Sequence, residues 1–296
     1  MPQSIPQIFR VILLVWPALI AAAGCGRAAG PDVPVAKPQV TLSSADGIIG
    51  GPLEMKYQFV VAPDAPPFND DYWVFVHFVD TDGELMWTDD HEPPTPVRQW
   101  KPGQTITYDR TMFVPKFPYV GETRVEVGIY SRKTGNRLPL EGATTGQRAY
   151  QLAKFNLQLQ ADSLFVVFRD GWHPTELAES SAREWQWSKK QATFAFRNPH
   201  RDALLYLQLD RAGGFPEPQQ VELRIANDII DSFSLAPNQA ELRKIPLTAA
   251  QLGPDESVEV QLSVDKTFIP ATVPELKNND PRELGIRVFR AFVESK

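Results

Sequence analysis

The sequence predicts an all-β protein: two tandem antiparallel β-sandwiches, immunoglobulin-like and then jelly-roll-like, following a cleaved leader. Three observations carry this. From Val40 onward apolar residues recur at every second position, the period of a half-buried strand, and no stretch of useful length has the helical period. The chain holds 27 prolines in 296 residues, about 9% against the usual level of about 5%, so its segments are short. Its 17 Phe, 7 Trp and 7 Tyr suit a pleated, half-buried surface better than a long helix.

Taken in order, Leu53, Met55, Tyr57, Phe59 and Val61 alternate with Glu54, Lys56, Gln58 and Val60, which makes one strand. Tyr72 to Val79 is aromatic and β-branched throughout and reads as a central strand, turning at Asp80-Thr81-Asp82-Gly83 into Leu85-Met86-Trp87. Thr105 to Val114, Thr123 to Tyr130 and Arg148 to Leu157 complete the first half. A boundary is expected near 158–162. Strands then follow at Leu164–Phe168, Gln191–Phe196, Ala203–Leu209, Val221–Ala226, Ile229–Leu235, Val258–Val264 and Gly285–Val293, with one helical turn near Thr248–Leu252. The expected organisation is therefore 1–24 leader, 25–38 tether, 39–158 first sandwich and 159–296 second sandwich.

The leader has Arg10 and then an apolar run from Val11 to Ala23, too short for a bilayer span and of the length of a signal-peptide core. Ala22-Ala23-Gly24-Cys25 resembles the lipobox of bacterial lipoproteins. The resemblance implies that Cys25, the only cysteine, is acylated and becomes the mature N-terminus. A plain secretory signal with an incidental cysteine is the alternative. Two or three acyl chains would hold the protein stably on a membrane. Gly26 stands where an aspartate causes inner-membrane retention in some bacteria, so the expected location is the cell envelope, at the outer membrane.

Two further resemblances rest on short words. Val74-Phe75-Val76-His77-Phe78-Val79-Asp80, Asp82-Gly83, Asp89-Asp90-His91-Glu92-Pro93-Pro94, Trp100-Lys101-Pro102-Gly103, Gly128-Ile129-Tyr130 and Thr134-Gly135-Asn136-Arg137-Leu138 resemble a β-sandwich module of bacterial envelope proteins, some of them attached to membrane glycosyltransferases. Gly171-Trp172-His173-Pro174-Thr175-Glu176, Glu184-Trp185-Gln186-Trp187 and Asp280-Pro281-Arg282-Glu283-Leu284-Gly285-Ile286 look like the non-catalytic jelly-roll modules that accompany polysaccharide-synthesis proteins. These resemblances imply a setting among envelope glycans and no mechanism. The expected partners are the membrane, through the lipid, and a polysaccharide or an envelope protein.

Trp172, Trp185 and Trp187, with Glu176, Glu184 or Arg282 beside them, are the candidates for glycan binding: an indole face stacks on a sugar ring while charged groups meet its hydroxyls. The spacing of Trp185 and Trp187 puts both on one strand face, which is equally the pattern of a core. His77, Asp90 and His91, with Asp89, form a weak candidate metal set, since His77 lies in an apolar strand where a structural histidine is commoner. Asp80 and Asp82 read as a turn in preference to a calcium loop.

The formal charge of −6, from 30 Lys and Arg against 36 Asp and Glu, argues against a general nucleic-acid binder. One cysteine excludes a disulfide framework. No G-x-S-x-G, H-E-x-x-H, P-loop or G-x-G-x-x-G motif is present, so the expectation is a non-enzyme without cofactor. A purely structural or protein-binding lipoprotein is the first alternative, and a cryptic glycoside-active enzyme is the second, since a pair of carboxylates leaves no motif.

Overall fold

Period-two burial organises the long strands. In the computed structural model, which describes residues 33–160, 165–178 and 183–296, β3 (Pro52–Val61) buries Leu53, Met55, Tyr57, Phe59 and Val61 and turns Lys56 and Val60 outward. β1 (Ala36–Leu42) and β6 (Thr105–Phe113) flank it antiparallel, giving the sheet order β1-β3-β6. The second sheet uses β2 (Asp46–Ile48), β4 (Tyr72–Val79), β5 (Leu85–Thr88), β7 (Gly121–Ser131) and β9 (Ala149–Gln158) in the order β2-β9-β7-β4-β5. β8 (Thr144–Gly146) pairs with β9, and β2 runs parallel to β9. The chain thus leaves the first sheet after β1 and joins the edge of the second as β2, an immunoglobulin-like arrangement.

One core joins these two sheets, including Phe59, Phe78, Val76, Val125, Val127 and Ile129, all essentially inaccessible to solvent. Each such side chain contributes about 1.5–3 kcal/mol. At the centre Tyr57 stacks on Tyr108 at 4.9 Å, with the His91 ring edge-on to Tyr57 at 5.3 Å. The opposite face of β4 is covered too. Phe75 pairs across the ladder with Gly128 of β7, and a Cβ at position 128 would stand 2.3 Å from the Phe75 ring. Gly128 therefore gives the ring room to lie on the strand while Arg137 covers it at 4.2 Å.

Strand β1 begins earlier than the sequence reading placed it. The expected tether runs to Pro38, yet Ala36, Lys37 and Pro38 are paired with Val61, Val60 and Phe59. Val35 and Ala36 are buried, and the Val35 N–H donates to the Pro139 carbonyl at 2.9 Å. Pro38 is tolerated because β1 is an edge strand.

The strands from 167 onward make two further sheets. The first contains β10 (Val167–Phe168), β13 (Gln191–Arg197), β15 (Gln219–Ile225), β16 (Asp228–Leu235) and β18 (Ser257–Val264), ordered β10-β13-β18-β15-β16. The second contains β11 (Glu176–Leu177), β12 (Glu184–Trp187), β14 (Ala203–Asp210), β17 (Ala240–Leu247) and β19 (Arg287–Ser295), ordered β11-β12-β19-β14-β17. The antiparallel pairs β15·β16, β14·β17, β13·β18 and β12·β19 nest one inside the next, and β14·β19 and β15·β18 close the two sheets. That nesting is a long hairpin rolled up, the topology of a jelly roll. Its core includes Phe194, Leu205, Leu207, Leu223, Val260 and Leu262.

The sequence pattern does not show β17, because Glu241, Arg243 and Lys244 mask its inward Ile245 and Leu247. The short helix α1 (Ala249–Leu252) stands at the expected turn, with a capping box in which the Thr248 side chain accepts from the Gln251 N–H. The expected strand at Leu164 has its first residue outside the described residues, as does the whole leader with Cys25.

Candidate functional site

Strand β12 positions the site. Trp185 and Trp187 share one face of it, and on the neighbouring β19 Arg287 and Phe289 share the corresponding face. The Arg287 guanidinium stands over Trp185, Trp187 and Phe289 at 5.2, 5.6 and 5.4 Å. It is held there by a bidentate pair with Asp210, at 2.8 and 2.7 Å.

The two indoles have different surroundings. Trp187 is 7% exposed and packs in a small apolar cluster with Phe268 and Leu284. It is a core residue, which removes it as an open stacking platform. Trp185 is half-buried and lines a cleft of about 370 Å³ between the two strand sets, together with Lys116, Phe168, Glu184, Phe289 and Arg290. Its Nε1–H is shielded from solvent and has no hydrogen-bond partner among the described residues, and the Gln186 Oε1 in the same wall is equally without one. The other end of the Gln186 amide donates to the Thr175 hydroxyl at 2.8 Å.

Glu184 anchors the charged side of the cleft. It accepts from Lys116 of the first strand set at 3.3 Å and from Arg290 at 2.9 Å. Burial alone would raise its pKa, but the two cations outweigh burial and hold the carboxyl below its usual range. Glu184 stays ionised and cannot serve as a proton donor near neutral pH.

The remaining candidates lie elsewhere. Trp172 packs edge-on against Phe168 at 4.7 Å and its Nε1–H donates to the Thr193 carbonyl at 2.7 Å, so its polar end is satisfied inside the protein. Glu176 and Arg282 do meet, at 2.6 Å, but Arg282 is also clamped on Asp280 at 2.6 Å, which makes a closed ion cluster. The carboxylate of Asp280 is held below its usual range by its hydrogen bond with Arg282. In the first strand set, His91 has both ring nitrogens engaged: Nδ1 with the Asp89 carbonyl and Nε2 with the Tyr108 hydroxyl, each at 2.8 Å. Asp90 accepts from the Val76 N–H, and His77 lies against Phe75 at 4.7 Å. Among the described residues no group of three His, Cys, Asp or Glu side chains is arranged to hold a metal ion. Trp185 and Glu184 are the sequence candidates that line this cleft; Lys116, Phe289 and Arg290 stand 68 to 106 residues from Glu184, carry no signal in the sequence and join it only through the fold.

No protein-family model matches this chain, and no curated protein matches it. Among solved structures it is similar to the alkylpurine DNA glycosylase AlkC of Pseudomonas fluorescens, at 14% identity over 42% of this chain and 31% of that one, with a TM-score of 0.25. It is also similar to the tandem CBM22-1–CBM22-2 domains of Paenibacillus barcinonensis Xyn10C, at 7% identity over 87% of this chain and 94% of that one, with a TM-score of 0.26. A third is the C-terminal CBM6 of the laminarinase LamC from Zobellia galactanivorans, at 10% identity over 46% and 94%, with a TM-score of 0.25. The chain spans about a third of the glycosylase's length. At these TM-scores the likenesses carry no argument, and the reading of the site rests on its own geometry.

Proposed function

We propose that this is a lipid-anchored, non-enzymatic accessory protein of the bacterial cell envelope, which binds a glycan in the cleft between its two strand sets. One observation carries the binding half of this reading. The cleft pairs an indole and a phenyl ring with two hydrogen-bonding atoms, Trp185 Nε1 and Gln186 Oε1, that have no partner among the described residues. Both atoms are shielded from solvent, so a sugar supplies what they lack once the side chains of the cleft wall move aside: its C–H face stacks on the rings while its hydroxyls accept from one atom and donate to the other. The lowered pKa of Glu184 makes it unsuited to the acid role in glycoside hydrolysis, which needs a carboxyl kept protonated. Lipid attachment at Cys25 and the outer-membrane location rest on the leader sequence alone.

The test is a fluorescence titration of residues 34–296 with polysaccharide isolated from the source cells, run beside Trp185→Ala and Gln186→Ala. Saturable binding, weakened at least tenfold in both folded variants, is the expected result. Equal binding by wild type and Trp185→Ala would overturn the assignment of the cleft. Incorporation of labelled palmitate that disappears in Cys25→Ser tests the anchor separately.

A further inference from the structure

Arg211 follows directly on β14 and has no solvent-accessible surface. Among the described residues none of its three guanidinium nitrogens has a hydrogen-bond partner. A guanidinium carries five donors and cannot shed its charge in the working pH range, so it cannot escape burial by neutralising. Burial pushes its pKa down from the usual value, and Glu217 opposes that without bonding to it. The acid next to it in the chain, Asp210, is committed to Arg287 on both oxygens. Among the described residues its guanidinium has gained the face of Phe215, 4.0 Å away. One cation–π contact returns much less than the cost of stripping water from an ion.

The surroundings add positive charge and supply a cover. The Lys266 ammonium also stands over the Phe215 ring, at 5.3 Å. Phe215 belongs to the loop 212–218, which lies on Phe268 and on Leu276. Gly213 and Gly214 take positive φ, 65° and 88°, and a Cβ at 214 would sit 2.6 Å from the Phe268 ring, so the loop closes this tightly only because glycine stands there. Phe268 also packs on Trp187, at 5.9 Å, and Arg287 lies over Trp187 and Trp185 alike.

We propose that Arg211, Phe215 and Lys266 form a binding site for a single oxyanion, reached by displacement of the 212–218 loop: the carboxylate of an acidic sugar, or free sulfate or phosphate. An oxyanion accepts two parallel N–H bonds from a guanidinium fork, the geometry that an unpaired arginine lacks. The sugar source rests on the glycan reading of the neighbouring cleft, and the anion site itself does not.

Thermal unfolding of the full-length chain is followed while sodium sulfate, sodium glucuronate or sodium chloride is added at equal ionic strength. At ten times the dissociation constant, sulfate or glucuronate should raise the wild-type midpoint by about 3 °C beyond chloride, and by about as much again for each further tenfold in ligand. Arg211→Met should show no such difference. Response to glucuronate alone would identify the sugar source, and response to both would identify a general oxyanion site. An equal rise in Arg211→Met, or none in the wild type, would overturn the proposal. Should Arg211→Met fail to fold, calorimetric titration of Arg211→Lys and the wild type replaces it. Lysine keeps the charge without the fork, so affinity should drop about tenfold, and unchanged affinity would be contrary. Trp185→Ala runs in parallel. It should lose glycan binding and keep the anion response, so failure at the cleft is separable from failure at Arg211.

Discussion

A single hydrogen-bond direction makes His91 sensitive to pH. The Asp89 carbonyl can only accept, so His91 Nδ1 carries the proton and Nε2 receives the Tyr108 hydroxyl in the neutral ring. A second proton on Nε2 would face that hydroxyl in a buried site beside Arg110. Burial is the chief reason its pKa lies below the ordinary value; Arg110 adds to the effect, and Asp89 and Asp90 only partly oppose it. The unfolded chain therefore takes up this proton near pH 6.5 while the folded one still refuses it. Stability is full above that point and falls as pH drops toward the folded pKa, by up to about 1.4 kcal/mol for each pH unit crossed. His77, also depressed by burial, contributes in the same direction. Urea titrations at pH 7.5 and 5.5 should show His91→Gln less stable than wild type at 7.5 but losing less on acidification. Identical losses would mean that His91 is not the group responsible.

At the scale of the element, β1 shows how a strand is held by residues that read as linker. Val35 and Ala36 are buried, the Ala62 N–H donates to the Val35 carbonyl, and Ala36 bridges Leu140. A chain beginning at residue 39 loses one buried valine and several ladder bonds, worth about 3–5 kcal/mol together. Its melting temperature should therefore lie several degrees below that of a chain beginning at 34. Equal midpoints would return residues 34–38 to the tether. The sequence hid this because Pro34 and Pro38 bracket Val35-Ala36-Lys37 and leave too little alternation to see. Where alternation runs longer it is legible: Tyr72–Val79 matches β4 at both ends, and β3 and β18 differ from their expected bounds by one residue or less. β17 was invisible because its charged residues belong to contacts made with other strands, Arg243 with Asp231 and Lys244 with Glu54. The site was legible to the same degree. Aromatic and acidic residues close together in sequence marked β12, but burial decides between Trp185 and Trp187, and burial is a property of what folds over them.

At the scale of the whole molecule, Glu54 links the two strand sets. It projects from β3 and accepts from the Tyr206 hydroxyl of β14 at 3.2 Å and from the Lys244 ammonium of β17 at 2.5 Å, and Phe113 meets the Tyr206 ring edge-on at 6.5 Å. Removing Glu54 leaves Tyr206 bonded to Glu294 and Lys244 partly in water, so neither core is opened. The cost to stability is about 1 kcal/mol or less. The cleft at Trp185 nevertheless takes part of its wall, Gly50, Val114 and Lys116, from the first strand set. A site shared in this way depends on how firmly the two sets are held, because interfaces between domains in one chain ordinarily allow relative motion. Glu54→Ala should therefore weaken glycan binding severalfold with a nearly unchanged melting temperature, although Glu54 lies outside the cleft wall. Lys116→Ala, which removes a wall residue directly, should weaken it too. If Glu54→Ala binds as tightly as wild type while Lys116→Ala does not, the cleft keeps its shape without this link. If neither weakens binding, the ligand is held by the second strand set alone.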